Sequence, residues 1–129
     1  MATEMMTLSQ AGGVLAGQEA AAGVYDDGHL RVEHDNYYVS LNGRALKLPR
    51  KEFLIISRLA RNPERIVASE ELWQHAWGGR APFNAESLHV HIYRLRRRLA
   101  PHRVEIDTMV NVGYRLLAAG AEDPAGGGR

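Results

Sequence analysis

Residues 87–99 read SLHVHIYRLRRRL. Two kinds of chemistry fit that composition: metal ligation by His89 and His91, or recognition of a polyanion by Arg94, Arg96, Arg97 and Arg98. The spacing of the apolar residues separates them. Placed 100° apart on a helical wheel, Leu88, Ile92, Leu95 and Leu99 share one narrow arc, which predicts a helix with that arc on a core. His89 and His91 then lie about 200° apart and cannot converge on one ion. The chain has no cysteine, so a thiolate metal site and a disulfide framework are both excluded. No metal or cofactor is expected.

The wheel places Glu86, Val90, Tyr93, Arg94 and Arg97 on the outer side. Ser87, His91 and Arg98 flank one edge, and His89 and Arg96 the other. An ordinary solvated face would interleave acids with its cations, yet the four arginines have almost no acidic residue three or four positions away. Left unpaired, four like charges repel, so their clustering calls for an anionic partner. The guanidinium fork suits phosphate, or guanine O6 and N7, with two hydrogen bonds. A helix fits the major groove of B-DNA and is shut out of the deep, narrow groove of A-form RNA, so double-stranded DNA is the expected partner. Arg94 and Arg97 are expected to read or clamp the groove, with Arg96 and Arg98 mainly on phosphates.

The elements around this helix follow from periodicity. HLRVEHDNYYVSLNGRALKLP alternates with period two through Leu30/Val32, Tyr37/Val39/Leu41 and Leu46/Leu48, broken at Asp35-Asn36 and at the hairpin signal Asn42-Gly43. A helical period follows: Phe53, Ile56, Leu59 and Ala60 in one segment, ended by Asn62-Pro63, then Leu72, Trp73, Ala76 and Trp77 in another. Ser69 is the expected N-cap of that second helix and Gly78-Gly79 its stop; Asn84 should cap the third helix, which runs to about Leu99 before Pro101. RVEIDTMVNVGYRLLA closes the pattern with two short strands joined at Asn111 to Gly113. The class is therefore α+β, a winged helix-turn-helix: an antiparallel sheet, a three-helix core and a C-terminal hairpin wing.

Charge is unevenly distributed. Residues 1–49 hold three Lys/Arg against six Asp/Glu, whereas residues 79–118 hold seven Arg against three acids. Such a local excess is the footprint expected of a polyanion-binding patch. Residues 1–24, rich in Ala and Gly, read as a flexible arm or linker remnant, 25–118 as the folded domain and 119–129 as a flexible tail. The N-terminus lacks the basic start of a signal peptide and no apolar run is long enough for a membrane span, so a cytoplasmic protein is expected. Paired carboxylates, a Ser/His/Asp set and a phosphate-cradling glycine loop are all missing from the ordered part, which argues against an enzyme.

KEFLII (51–56), ARNPERIV (60–67), EELW (70–73), AWG (76–78), LHVHIYRLRRRL (88–99) and VGYRLL (112–117) together resemble the OmpR/PhoB-type DNA-binding domain of bacterial response regulators, over about residues 29–118. The resemblance implies a four-stranded N-terminal sheet and sequence-specific promoter binding, often by head-to-tail pairs of an otherwise monomeric domain on direct repeats. It implies that His91, Tyr93, Arg94, Arg96 and Arg97 read the major groove, that Thr108 and Tyr114 touch the DNA backbone from the wing, and that the Trp77 indole reaches a phosphate. Trp77 has a second reading, packing beneath the helix junction. The loop from Gly78 to Phe83 matches the segment that contacts RNA polymerase. Three departures stand out. Val110-Asn111 replaces the family's wing Arg-Gly, so weaker minor-groove readout is expected. Glu86 and Ser87 replace a basic residue and threonine, and Glu86 would either accept from cytosine N4 or repel phosphate. A receiver domain would need over a hundred further residues, so an excised effector domain or a stand-alone regulator is expected. The alternative function is a winged-helix module that docks RNA polymerase or another protein without reading DNA.

Overall fold

The computed structural model describes residues 23–117. Four antiparallel strands come first, in spatial order β1 (Val24–Asp26), β2 (Leu30–Glu33), β3 (Tyr38–Leu41) and β4 (Arg44–Ala45). Leu30 pairs with Leu41 and Val32 with Val39, so the alternating leucines and valines share one buried face. Asn42 and Gly43 both take positive φ, 50° and 85°, as the expected tight hairpin requires. The pairing ends at Ala45, so Leu46 and Leu48 are not the last strand that their alternation suggested. They pack half-buried on the core from an irregular segment instead. At the other end Val24 already pairs with Glu33, inside the stretch expected to be an arm. Residues 1–22 of that arm and the tail from 118 lie outside the described residues.

Helix α1 (Arg50–Ala60) buries Leu54 and Ile55 as well as Phe53, Ile56, Leu59 and Ala60. It is covered from several sides, by β2, by the next two helices and by the last strand, so one apolar stripe would not suffice. His34, in a short 3-10 turn after β2, is 5% exposed and shares a 2.6 Å hydrogen bond between Nδ1 and Ser57 Oγ. Burial, reinforced by Arg61, pushes its imidazole down to about 4.

After α1 come β5 (Val67–Ala68), α2 (Ser69–Trp77) and α3 (Ala85–Leu99). Ser69 is the first helical residue and not the cap; Ala68 holds the cap position without a side-chain bond. The wing is β6 (Glu105–Met109) paired with β7 (Gly113–Leu117), and β5 joins the far edge of β7 to make a three-stranded sheet that periodicity did not foresee. Gly113 lies opposite Ala68 there, and a Cβ on it would run into the Val67 carbonyl.

Candidate nucleic-acid interface

Helix α3 is anchored at both its start and its inner face. Asn84 Oδ1 accepts the Ser87 backbone N–H at 2.9 Å, the expected cap. Leu88, Ile92, Leu95 and Leu99 are all at most 1% exposed, as the wheel required. With that side fixed, Glu86, Val90, Tyr93, Arg94 and Arg97 are exposed on the opposite side. Arg97 Nη1 donates to the Tyr93 hydroxyl at 3.4 Å, and its guanidinium sits 5.9 Å from the centre of that ring. Arg94 has no hydrogen-bond or ion-pair partner among the described residues.

The expectation that all four arginines lack partners is corrected at two of them. Arg98 Nε donates to Glu52 Oε1 at 2.7 Å, and Glu52 is only 2% exposed. The carboxylate belongs to α1, out of reach of any search along one helix. Arg96 Nε donates to the Ile106 carbonyl at 2.9 Å and Nη2 to Thr108 Oγ1 at 2.6 Å, with the guanidinium 5.9 Å from the centre of the Tyr114 ring. Arg96 thus ties α3 to the wing, and Arg98 ties it to α1. Arg96 spends Nε and Nη2 on these bonds, whereas Arg98 engages only Nε and keeps a side chain 44% exposed.

On the wing, Thr108 is exposed and already accepts from Arg96, while Tyr114, in the wing strand β7, is 7% exposed and packs its ring against the core. The tip turn is closed by Val112 N–H to the Met109 carbonyl at 2.9 Å, with Asn111 at a φ of 65°, a conformation asparagine tolerates. Val110 and Val112, 73% and 52% exposed, give the tip an apolar surface.

Trp77 stacks on Trp73 with centroids 4.0 Å apart and meets His91 edge-on at 4.9 Å, so the packing role expected for it is observed. Its indole N–H donates to no residue among those described, whereas the Trp73 N–H is spent on the Ala81 carbonyl at 3.0 Å. His91 Nδ1–H donates to the Ser87 carbonyl at 2.8 Å, which fixes the ring against Trp77. Sequence reasoning missed Arg50 and Lys51, which share a cleft with Arg94 and Arg98. Their signal was present as adjacent cations at the start of a helix, but nothing local linked them to α3. Among the described residues no group of three His, Cys, Asp or Glu side chains is placed to hold a metal, and no helix is long and apolar enough to cross a membrane.

Residues 43–116 match the family model described as "Transcriptional regulatory protein, C terminal". The sensory transduction protein RegX3 of Mycobacterium leprae is 34% identical over 101 residues, covering 76% of this chain and 51% of RegX3, so the chain spans about half the length of that relative. The response regulator DrrB of Thermotoga maritima, an OmpR/PhoB homologue, superposes with a TM-score of 0.64 at 30% identity, over 81% of this chain and 51% of DrrB. The DNA-binding domain of Klebsiella pneumoniae RstA, solved in complex with the RstA box, gives 0.62 at 27% identity over 73% of this chain and 96% of that domain.

Proposed function

The chain belongs to the OmpR/PhoB-type family of transcriptional regulatory protein C-terminal domains, and on that premise we propose that it binds double-stranded DNA sequence-specifically as the output domain of a bacterial transcription regulator. The observation that carries this reading is the outer face of α3. It is capped by Asn84, anchored by four buried side chains and braced to the wing by Arg96, so that Arg94 and Arg97 project from a rigid helix of groove-fitting width. That the RstA domain, which this chain resembles, was solved with its box supports DNA as the partner. Arg94 and Arg97 read or clamp base edges, Tyr93, Val90, Glu86, Ser87 and His91 contribute the remaining groove surface, and Trp77 donates its indole N–H to a phosphate. The wing tip, Val110 and Asn111, lies along the backbone or minor groove beside Thr108. Residues 25–118, with the first strand already begun at Val24, are the DNA-binding domain, and two copies bind head-to-tail on direct repeats. The loop from Gly78 to Phe83, with Phe83 41% exposed, is the surface for RNA polymerase. These finer assignments rest on the resemblance and on exposure.

Selection of bound sites from a random duplex library, at low and at moderate salt, tests the reading. Electrostatic binding falls steeply with salt while base readout persists. Enrichment of a short motif is the expected result. Salt-sensitive binding with no enriched motif would leave the arginines holding phosphates only and overturn specific readout.

A further inference from the structure

Arg94 and Arg98 on α3 and Arg50 and Lys51 at the start of α1 line one surface cleft of about 450 Å³. Four fixed positive charges face a single carboxylate, Glu52, and that carboxylate is already bonded to Arg98 at 2.7 Å. Arg50 and Lys51 make no ion pair among the described residues. Each rests over an aromatic ring: the Arg50 guanidinium 5.5 Å from the centre of Tyr37, and the Lys51 ammonium 5.4 Å from the centre of Trp77. Those rings hold the cations in place without neutralising them.

The position of the cleft gives it a role. Arg96 faces the wing from one edge of α3, while Arg94, Arg98 and His91 occupy the other edge beside α1. A helix lying in a major groove about 12 Å wide is bordered by two phosphate backbones. In the DNA-binding reading the wing lies toward one of them, which leaves the α1 cleft, on the opposite edge of α3, on the side of the other. We propose that this cleft grips the phosphodiester backbone on the side of the groove away from the wing, with Arg50 and Lys51 as phosphate-holding residues outside the recognition helix. The proposal rests on the DNA-binding reading above. An acidic protein segment would satisfy the same charges, but the alignment of the cleft with α3 favours the DNA strand.

The test uses the full 129-residue chain and a duplex bearing its selected site, with R50A/K51A compared against wild type and against R44A, an exposed arginine on β4 away from the cleft. Each phosphate contact contributes about 0.9 to the slope of log K against log salt, so the double variant should be shallower by about 1.8 and bind roughly 10–100-fold more weakly at low salt. The enriched motif should be unchanged, because neither side chain reaches a base, and loss of the two cation–π contacts should lower the melting temperature only modestly, leaving the variant folded at the assay temperature. Methylphosphonate at the flanking phosphate should weaken wild type and leave R50A/K51A unaffected. A slope for R50A/K51A equal to that of R44A would overturn the cleft while the DNA-binding reading stands, and would leave an acidic peptide as its occupant. If wild type binds no duplex at all, the parent reading fails and the cleft assignment goes with it.

Discussion

Breaking the Arg98–Glu52 pair from either end should cost very different amounts of stability. The Glu52 carboxylate belongs to a side chain 2% exposed, whereas the Arg98 side chain is 44% exposed. R98A strands a buried negative charge; loss of one partner from a fully buried pair costs about 3–5 kcal/mol, and the partial exposure of this pair places the expected loss near the lower end, about 3 kcal/mol. E52Q leaves a guanidinium that already has nearly half its surface in water, and the new amide oxygen still accepts from Nε at the position of the 2.7 Å bond. Only the charge-assisted part of one hydrogen bond is lost, about 1 kcal/mol.

The double variant E52Q/R98A should therefore be more stable than the sum of the two losses implies, because the glutamine removes the charge that R98A would strand. Urea denaturation at constant slope gives all three values from the shift in midpoint. Losses that add to within about 0.5 kcal/mol, or an E52Q loss equal to that of R98A, would show that the pair is no buried charge clamp. DNA affinity of R98A measured well below its melting temperature then isolates any direct contribution of Arg98 to phosphate binding.

Other perturbations have equally definite outcomes. Arg94→Ala should lose about 1–3 kcal/mol of discrimination between its selected site and a single-base variant, while binding to random duplex falls much less; equal losses on both would place Arg94 on phosphate. Asn84→Ala removes the bond to the Ser87 N–H and should cost about 1 kcal/mol in denaturant unfolding, and an unchanged midpoint would mean that the cap is replaced by solvent. Gly113→Ala should destabilise strongly through the β5–β7 pairing, because the added methyl collides with backbone and not with a flexible side chain; a melting temperature within a degree or two of wild type would refute the packing. Stability should also fall with acid through His34. Its folded value of about 4 lies below the ordinary 6.5, so the unfolded chain binds the proton first and stability present above pH 6.5 is lost as pH drops toward 4. About 2 kcal/mol should go between pH 7.5 and 5, and a His34→Leu variant with the same pH slope would remove His34 as the cause.

The parts of this fold legible in the sequence are those set by local periodicity. Leu88, Ile92, Leu95 and Leu99 specify both the α3 helix and its buried side, and Asn42-Gly43 specifies a turn whose positive φ values few other pairs accept. Elements defined by what they pack against were not legible. Val67–Ala68 becomes a strand because β7 offers a free edge, and β4 ends at Ala45 although the alternation continues to Leu48. The candidate site divides in the same way. The outer face of α3 follows from the wheel, but the states of Arg96 and Arg98 depend on Ile106, Thr108 and Glu52, residues supplied by other elements. Arg50 and Lys51 join the site only when α1 is laid beside α3.

These tertiary bonds divide the labour of the basic helix. A guanidinium held by a backbone carbonyl and a hydroxyl is a strut, and Arg96 so held fixes the angle between α3 and the wing. The wing tip itself presents Val110 and Val112 and no cation, so it can follow the shape of a backbone or groove but adds little to counterion release. Charge therefore sits on the α1 side of the helix and apolar surface on the wing side. A domain arranged this way should draw much of its salt dependence from Arg50 and Lys51, with Arg94 and Arg97 contributing mainly to discrimination. Restoring an arginine at the wing through Val110→Arg should steepen the salt slope by about one contact, roughly 0.9, without moving the helix-read part of the motif. Braced by Arg96, the tip is presented by the existing fold, so the gain requires no rearrangement; a V110R slope identical to wild type would mean that the wing does not reach the DNA backbone at all.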